Sequence, residues 1–449
     1  MASIPLVRGF GAGAAFAYRR GLRISVERFL ADASRLAAAL PDRSYLLNLC
    51  TDRYHFAVGF AAGLLRRQVS LLPPNETPDL LERLVSQYPG VHCLSDRTAG
   101  YGSLETMVFP ELDDPGLAAS PIPEVPEEQT AAIVFTSGST GDPVPYRKTW
   151  GSLVRVAAAE IDILRLRARR GMALIGTVPS QHVFGLEATV LVPMQGGFAL
   201  HARRPFFPAD VRAELAALPR PRALVTTPVH LRALLAEPED LPPADFLLCA
   251  TAPLSPQLAA QAEARFGAPL REIYGCTESG GIASRRTVES NEWRAMRDVV
   301  LRSDGRGTWV RGGHVEFEVL LADVIELRGR GRFLLHGRTA DLVNIAGKRT
   351  SLAHLNYHLN SIEGVRDGVF VVPEQGGEAV TRLTAYVVAP GLMSEAVLNA
   401  LRQRIDAVFL PRPLLFVDAL PRNETGKLPQ QALGRIAAAN ASRLEHGRL

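Results

Sequence analysis

A run of small hydroxyl residues and glycines, Thr136-Ser137-Gly138-Ser139-Thr140-Gly141, stands directly after the apolar segment 131–135. Glycine lets the backbone approach an anion closely and adopt positive φ, so successive N–H groups and hydroxyls can cradle a phosphate. By itself such a run is more often a plain turn, and no Gly-Lys-Ser/Thr follows that would make it a Walker loop. Further on, Ile273-Tyr274-Gly275-Cys276-Thr277-Glu278 puts an aromatic ring, a hydroxyl and a carboxylate side by side. The ring can stack on a base, and the carboxylate can hold Mg²⁺. Two more polar segments follow: Gly337-Arg338-Thr339-Ala340-Asp341, and Leu420-Pro421-Arg422-Asn423-Glu424-Thr425-Gly426-Lys427-Leu428, which presents one lysine on a glycine-containing loop.

These segments need a large scaffold, and 449 residues are too many for one ordinary core. Hydrophobic residues at 47% and charged residues at 21% give a globular balance rather than a disordered or coiled-coil one. With 50 basic and 46 acidic residues the formal charge is +4, too small and too scattered to point to nucleic acid. The four cysteines, Cys50, Cys93, Cys249 and Cys276, have no metal-ligand spacing and read as thiols of a reducing compartment. No apolar run reaches the ~20 residues that span a bilayer, and two arginines follow residues 10–17 where a signal peptide would be cleaved. The expectation is a cytoplasmic protein without a membrane span.

Apolar residues three and four apart predict helices over 26–40 and 56–65. Short apolar runs predict buried strands at 44–49, 69–72, 131–135, 172–178, 223–227 and 246–250. Strand, helix and strand in alternation imply parallel pairing with crossover helices. The proline-rich stretch 121–126 reads as a linker. From about Gly337 the character changes: strands at 368–372 and 383–388 surround a helix from about Ser394 to Val408. This second unit of roughly a hundred residues is long enough to fold alone. The fold class expected is α/β: a large N-terminal domain, 1–338, of mixed sheets with flanking helices, and a small mobile α+β C-terminal domain, 339–449.

Taken in order, the four motifs resemble the adenylate-forming superfamily of acyl-CoA synthetases, peptide-synthetase adenylation domains and luciferases. The resemblance runs from the helix at Val26 to the lysine loop, and each motif is far less specific than the ordered set. It implies ATP and Mg²⁺ as cofactors, a carboxylic acid as substrate, and CoA or a phosphopantetheinyl acyl carrier protein as acceptor. Thr136, Ser137, Gly138, Ser139, Thr140 and Gly141 would hold the β- and γ-phosphates. Tyr274 would flank the adenine, Thr277 would touch the α-phosphate and Glu278 would bind Mg²⁺. Asp323 matches the aspartate that takes the ribose hydroxyls, and Arg338 an arginine that meets ribose or phosphate. Lys427 matches the catalytic lysine bridging the substrate carboxylate and the α-phosphate. Pro179-Ser180-Gln181-His182-Val183-Phe184-Gly185 resembles the acid-pocket segment, with His182, Phe184 and Gly185 as substrate contacts and Gly275 and Gly280 as further walls.

The sequence also departs from that pattern. The phosphate loop usually continues Pro-Lys-Gly, whereas Pro143 is followed by Val144, so that either Arg147 or Lys148 supplies the missing charge or its loss is tolerated. The usual hinge aspartate is Ala340, beside Asp341, and a common lysine after the hinge is Asn344. The stretch from Tyr274 to Arg338 is short for the superfamily. A trimmed middle and the segment Arg147-Lys148-Thr149-Trp150 resemble the small ligases that load aromatic acids in aryl-polyene-type pigment pathways. The resemblance therefore favours a hydroxybenzoate-like or cinnamate-like acid and a carrier-protein acceptor. The competing readings are a medium-chain fatty acid, a ligase that stops at the acyl-adenylate, and a non-catalytic nucleotide-binding homologue.

Overall fold

The computed structural model describes residues 2–98, 101–110, 121–137, 143–338, 342–345, 348–372, 382–422 and 428. Among these, two large sheets carry most of the chain. One runs in the order Pro143–Thr149, Thr130–Ser137, Val69–Leu72, Tyr45–Asn48, Val91–Ser95, Thr106–Val108. Its pairs are parallel apart from the first, an antiparallel pairing that sets Arg147 opposite Ile133 and Lys148 opposite Ala132.

The second sheet has a parallel heart, in the order Leu270–Cys276, Phe246–Cys249, Arg222–Thr226, Ala173–Gly176, Ala199–His201, Ala15–Arg19. Strands buried on both faces read as unbroken apolar runs, and those runs are what located them in the sequence. Leu174, Val225 and Leu248 face one core cluster, while Ile175, Leu224 and Leu247 face another. Beyond Leu270–Cys276 the sheet turns antiparallel through Gly280–Arg285, Trp293–Ala295, Arg332–Arg338 and Asp323–Gly329.

The helices lie where the apolar spacing puts them. Ser25 caps Val26–Ala39 by accepting from the Arg28 N–H at 3.2 Å, and Asp52 caps Arg53–Leu65 by accepting from the Tyr54 and His55 N–H groups. The Tyr54 hydroxyl donates to Asp32 at 2.6 Å and joins the two helices. None of the described helices is long and apolar enough to cross a membrane.

After Arg338 the described residues form a hairpin, Leu342–Ile345 with Lys348–Ser351, and the helix Leu352–Asn360. A three-stranded sheet, Asp367–Val371, Thr384–Val388 and Leu414–Phe416, packs with the helix Ser394–Arg402 around its own apolar cluster. Two expectations need correction. Residues 124–126 of the proline-rich stretch are a strand, paired antiparallel with Ser3–Pro5 and burying Val125. Proline is tolerated there because this is an isolated two-stranded edge pairing. The helix that begins at Ser394 stops at Arg402, because Asp406 turns its side chain onto the Val408 N–H at 3.1 Å and starts a separate turn, Ala407–Phe409.

The two sheets meet at a buried cation. Arg53, with no exposed surface, donates to the carbonyls of Gly176 (3.1 Å), Val178 (2.9 Å), His201 (2.9 Å) and Arg203 (3.2 Å) and to the Thr189 hydroxyl (2.9 Å). Burial lowers its pKa to about 10, which still leaves it charged at neutral pH. Arg53→Met would strip donors from all five acceptors, four of them buried. The expected loss is about 3–5 kcal/mol of stability, read as a lower urea midpoint; a midpoint within error of the parent would show that the carbonyls find other donors.

Candidate active site

The site is built on the hairpin formed by Leu270–Cys276 and Gly280–Arg285, whose turn is Thr277-Glu278-Ser279. Its arms approach too closely for side chains: a Cβ on Gly275 would lie 2.0 Å from the Gly280 carbonyl oxygen. Gly280 itself has φ +73°, a conformation that glycine adopts without strain. The turn carries Thr277 and Glu278 half-buried at the end of the sheet, and Ser279 closes it by donating to the Gly280 carbonyl at 2.9 Å.

Tyr274 precedes the turn. Its hydroxyl donates to Asp323 Oδ2 at 2.7 Å, and its ring packs against Trp293 and Phe333 at centroid distances of 5.5 and 5.7 Å. Those two rings belong to the antiparallel strands that bring Asp323 back to the hairpin. Backbone register then sets Asp323 directly opposite Arg338. The structure thus gathers Tyr274, Asp323 and the backbone of Arg338 at one end of the sheet. Asp323 also lines a cleft of about 640 Å³ with Ser303, His336, Thr350, Ser351 and His354.

Lys148 reaches the same hairpin from the other sheet, its ammonium donating to the Glu278 carbonyl at 2.7 Å. Side chains alternate along a strand, so Lys148 faces inward while Arg147 is exposed, and Lys148 is the cation delivered to the site. Burial pulls its pKa down, opposed by Glu187, Cys276, Glu278 and Glu316. The Cys276 thiol is pushed up to about 12, by burial and then by Glu278, and is therefore no nucleophile at neutral pH.

The acid-pocket segment lies at the carboxyl end of the strand Ala173–Gly176. His182 precedes the short helix Val183–Leu186, Phe184 is buried in the main core, and Gly185 sits against the Pro179 carbonyl, where a Cβ would come within 1.8 Å. Phe184 and Gly185 therefore shape this segment through packing. Of the phosphate run, only the backbone of Thr136 and Ser137 is described, paired with Val144 and Pro143; Gly138, Ser139, Thr140 and Gly141 lie outside the described residues, as do Ala340, Asp341 and Lys427.

Three groups that the sequence analysis passed over stand beside the hairpin. Glu187 opens a π-helical turn, Glu187–Leu191, and accepts from the Gly281 N–H at 3.1 Å. Burial raises its pKa to about 7 against the pull of Lys148. Glu160, on the helix Trp150–Ile163, is fully buried and held well above the carboxylate range by burial and by Glu187. His314 is pushed down to about 4 by burial and then by Lys148, so it is neutral. One signal was readable: Glu160 sits on the apolar stripe of its helix, three residues after Ala157 and one before Ile161.

Among the described residues no group of three His, Cys, Asp or Glu side chains could hold a metal. An Mg²⁺ that keeps waters and substrate phosphates needs only one or two protein carboxylates, and Glu278 at the turn fits that requirement. Lys148→Met would remove the charged donor from the Glu278 carbonyl. The expected cost is about 1.5–3 kcal/mol, measured by urea unfolding; an unchanged midpoint would mean that the ammonium does not brace the turn.

Comparison with known proteins agrees with this fold. The family model described as AMP-binding enzyme matches residues 41–310. A 4-coumarate–CoA ligase of Rhodobacter capsulatus is 30% identical over 304 residues, covering 67% of this chain and 75% of that protein. An indoleacetate–CoA ligase of Aromatoleum aromaticum is 25% identical over 366 residues, covering 73% and 71%. Among solved structures, ATP-bound MatB from Rhodopseudomonas palustris superposes with a TM-score of 0.79 at 19% identity, covering 94% of this chain and 96% of that one. The o-succinylbenzoate CoA synthetase of Bacillus subtilis gives 0.78 at 17% identity, covering 96% and 98%, and these two likenesses bear on fold alone. By the family model and the 30% identical relative, the chain belongs to the AMP-binding enzyme family, the adenylate-forming superfamily.

Proposed function

We propose that this chain is an AMP-forming acid–thiol ligase that activates an aromatic carboxylic acid with ATP and passes the acyl group to a pantetheine thiol. The observation that carries the reading is the shared hairpin: the Tyr274–Asp323 bond on one side and the turn of Thr277 and Glu278, braced by Lys148, on the other. The names of the relatives, 4-coumarate–CoA and indoleacetate–CoA ligase, support an aromatic acid and CoA. A carrier-protein thiol is the alternative acceptor.

In the first step a carboxylate oxygen attacks the α-phosphorus of ATP, the bond to the bridging oxygen breaks, and pyrophosphate leaves. Asp323 and Arg338 would orient the ribose, Tyr274 the adenine, and Thr277 the α-phosphate. Residues 136–141 would hold the β- and γ-phosphates. Mg²⁺ bound at Glu278 would neutralise charge on the phosphates. Two anions must meet, so a cation between them is worth roughly 10²–10³ in rate, ~3–4 kcal/mol, and we assign that place to Lys427. In the second step the thiol loses its proton and attacks the acyl carbon, and AMP departs. Domain 339–449 would turn about residues 338–341 between the steps, withdrawing Lys427 so that one space serves both reactions.

Acid-dependent ATP–pyrophosphate exchange across benzoates, cinnamates, amino acids and fatty acids tests the reading. Exchange with aromatic acids is expected. Exchange confined to fatty acids would replace the substrate class, and silence throughout, from folded protein that binds ATP, would sink the enzymatic reading. Lys427→Ala should lower exchange by roughly 10²–10³ while sparing thioester formation from supplied acyl-adenylate. Equal loss in both half-reactions would remove Lys427 from the role.

A further inference from the structure

Far from the hairpin turn, a group of cations stands together without anions of its own. Burial lowers the pKa of Arg271, and the charges that act on it are Arg165, Glu289, Arg286 and Arg294, three cations against one anion. That anion is already taken: Glu289 pairs with Arg286 at 2.5 Å, and Arg286 also holds Glu263 at 2.7 Å. The acids nearest in sequence are committed as well. Asp162 pairs with Arg167 at 2.6 Å, and Glu292 with Arg332 at 3.3 Å. Among the described residues, no side-chain hydrogen bond or ion pair reaches Arg165, Arg271 or Arg294. Arg271 is half-buried and the other two are exposed.

Strand register explains how the three meet. Ile273 stands opposite Ser284, and Ser284 opposite Arg294, so all three share one face of the sheet. Arg271, two residues before Ile273, belongs to that face too. The helix Trp150–Ile163 lies along it, since a Cβ on Gly281 would meet both Glu160 Oε1 at 2.9 Å and Ile273 Cγ2 at 3.0 Å. Leu164 ends the helix in the core, and Arg165 follows it into solvent. Arg169 continues the run, its guanidinium 5.6 Å from the Phe246 ring and donating to the Asp245 carbonyl at 2.8 Å. Phe246 and Arg271 both lie at the amino ends of their parallel strands.

A structural role accounts for little of this charge. The carboxyl end of a helix presents roughly half a negative charge, against three guanidiniums. Like charges held together repel, and an anion that enters removes the repulsion. Guanidinium forks match pairs of oxygens on one phosphate, whereas a single carboxylate would leave most of the charge unmet. The place is not that of the reacting groups. Arg271 lies five residues before Cys276, roughly 16 Å of extended chain. Ligands of an open α/β sheet sit outside the carboxyl ends of its strands, and this cluster is at the amino ends.

We propose that Arg165, Arg271 and Arg294 form a second anion site, for a phosphate group, separate from the nucleotide site and at the opposite end of the sheet. Orthophosphate and pyrophosphate share the chemistry that such a site reads. A bound phosphate would tie the end of the helix Trp150–Ile163 to two of the strands beneath it, so that occupancy stabilises the fold. The site goes beyond the ligase reading and does not depend on it.

The test follows the thermal midpoint of the whole chain against inorganic phosphate, pyrophosphate and, at matched ionic strength, chloride. Each series is run with and without saturating Mg·ATP, which fills the nucleotide site. At ten times the dissociation constant, one of the phosphates should raise the midpoint by about 2 °C or more over chloride, with ATP present. Tighter binding of pyrophosphate would assign the site to a diphosphate, and equal binding to a single phosphate group. Arg271→Met should weaken binding tenfold or more without lowering the ligand-free midpoint. Should Arg271→Met not fold, the exposed positions carry the test, Arg165→Gln and Arg294→Gln each weakening binding at least threefold. A midpoint that follows ionic strength alone, a response abolished by ATP, or one unmoved in the folded variants overturns the inference. So do ligand-free midpoints that fall in all the folded variants, which would show the arginines bonded within the protein itself. Each of these leaves the ligase reading standing.

Discussion

Arg53 is the constraint on which the remaining geometry depends. In an open α/β sheet, ligands bind outside the carboxyl ends of the parallel strands. Here a guanidinium from the neighbouring sheet's helix collects the carbonyls that emerge at two of those ends, Gly176 and Val178 after one strand and His201 and Arg203 after the next. It also holds Thr189 of the π-helical turn. A planar fork with five donors suits this set of fixed acceptors, whereas an ammonium would offer three. The loop from Thr177 to His182, and Glu187 behind it, are consequently positioned by a residue far away in sequence.

The second half of the site depends on a change of sheet character. Parallel strands end at Leu270–Cys276, and the chain reverses at once through Thr277-Glu278-Ser279. Reversal keeps Tyr274, Glu278 and Gly280 within one hairpin, and the later antiparallel strands return Asp323 to Tyr274. Packing of Tyr274 on Trp293 and Phe333 sets the aromatic distance, and the hydroxyl–carboxylate bond sets the polar one. A stretch of chain that is short for the superfamily is long enough for this, because three short strands suffice to close the path.

Much of this was legible in the sequence, for identifiable reasons. Helices at Val26 and Phe56 and the apolar strands of both sheets announce themselves by period and by turn residues. The ordered motifs led to Tyr274, Glu278 and Asp323 because their residue types are chemically specific. What stayed hidden depends on long-range pairing. Val125 becomes a buried strand residue only because Ile4 lies opposite it. Lys148 could be told from Arg147 only once the strand alternation was fixed against Ile133 and Ala132. Glu187 looks like any helix glutamate until the π-helical turn it opens is seen to meet the Gly281 N–H.

The departure at Val144 can now be given a physical reading. Val144 and Lys148 share one face of the strand Pro143–Thr149, but four residues of extended chain separate them by roughly 13 Å. Lys148 is therefore not a displaced copy of the lysine that usually follows the phosphate run. Its ammonium is committed to the Glu278 carbonyl, and its field acts on Glu187. The positive charge of this strand serves the turn and the buried carboxyls. A cation that was removed there would unbalance the pair behind the hairpin before it affected anything at Val144. The charge of this strand goes to the Glu278 carbonyl and to Glu187, whose carboxylate would otherwise be buried without a cation beside it.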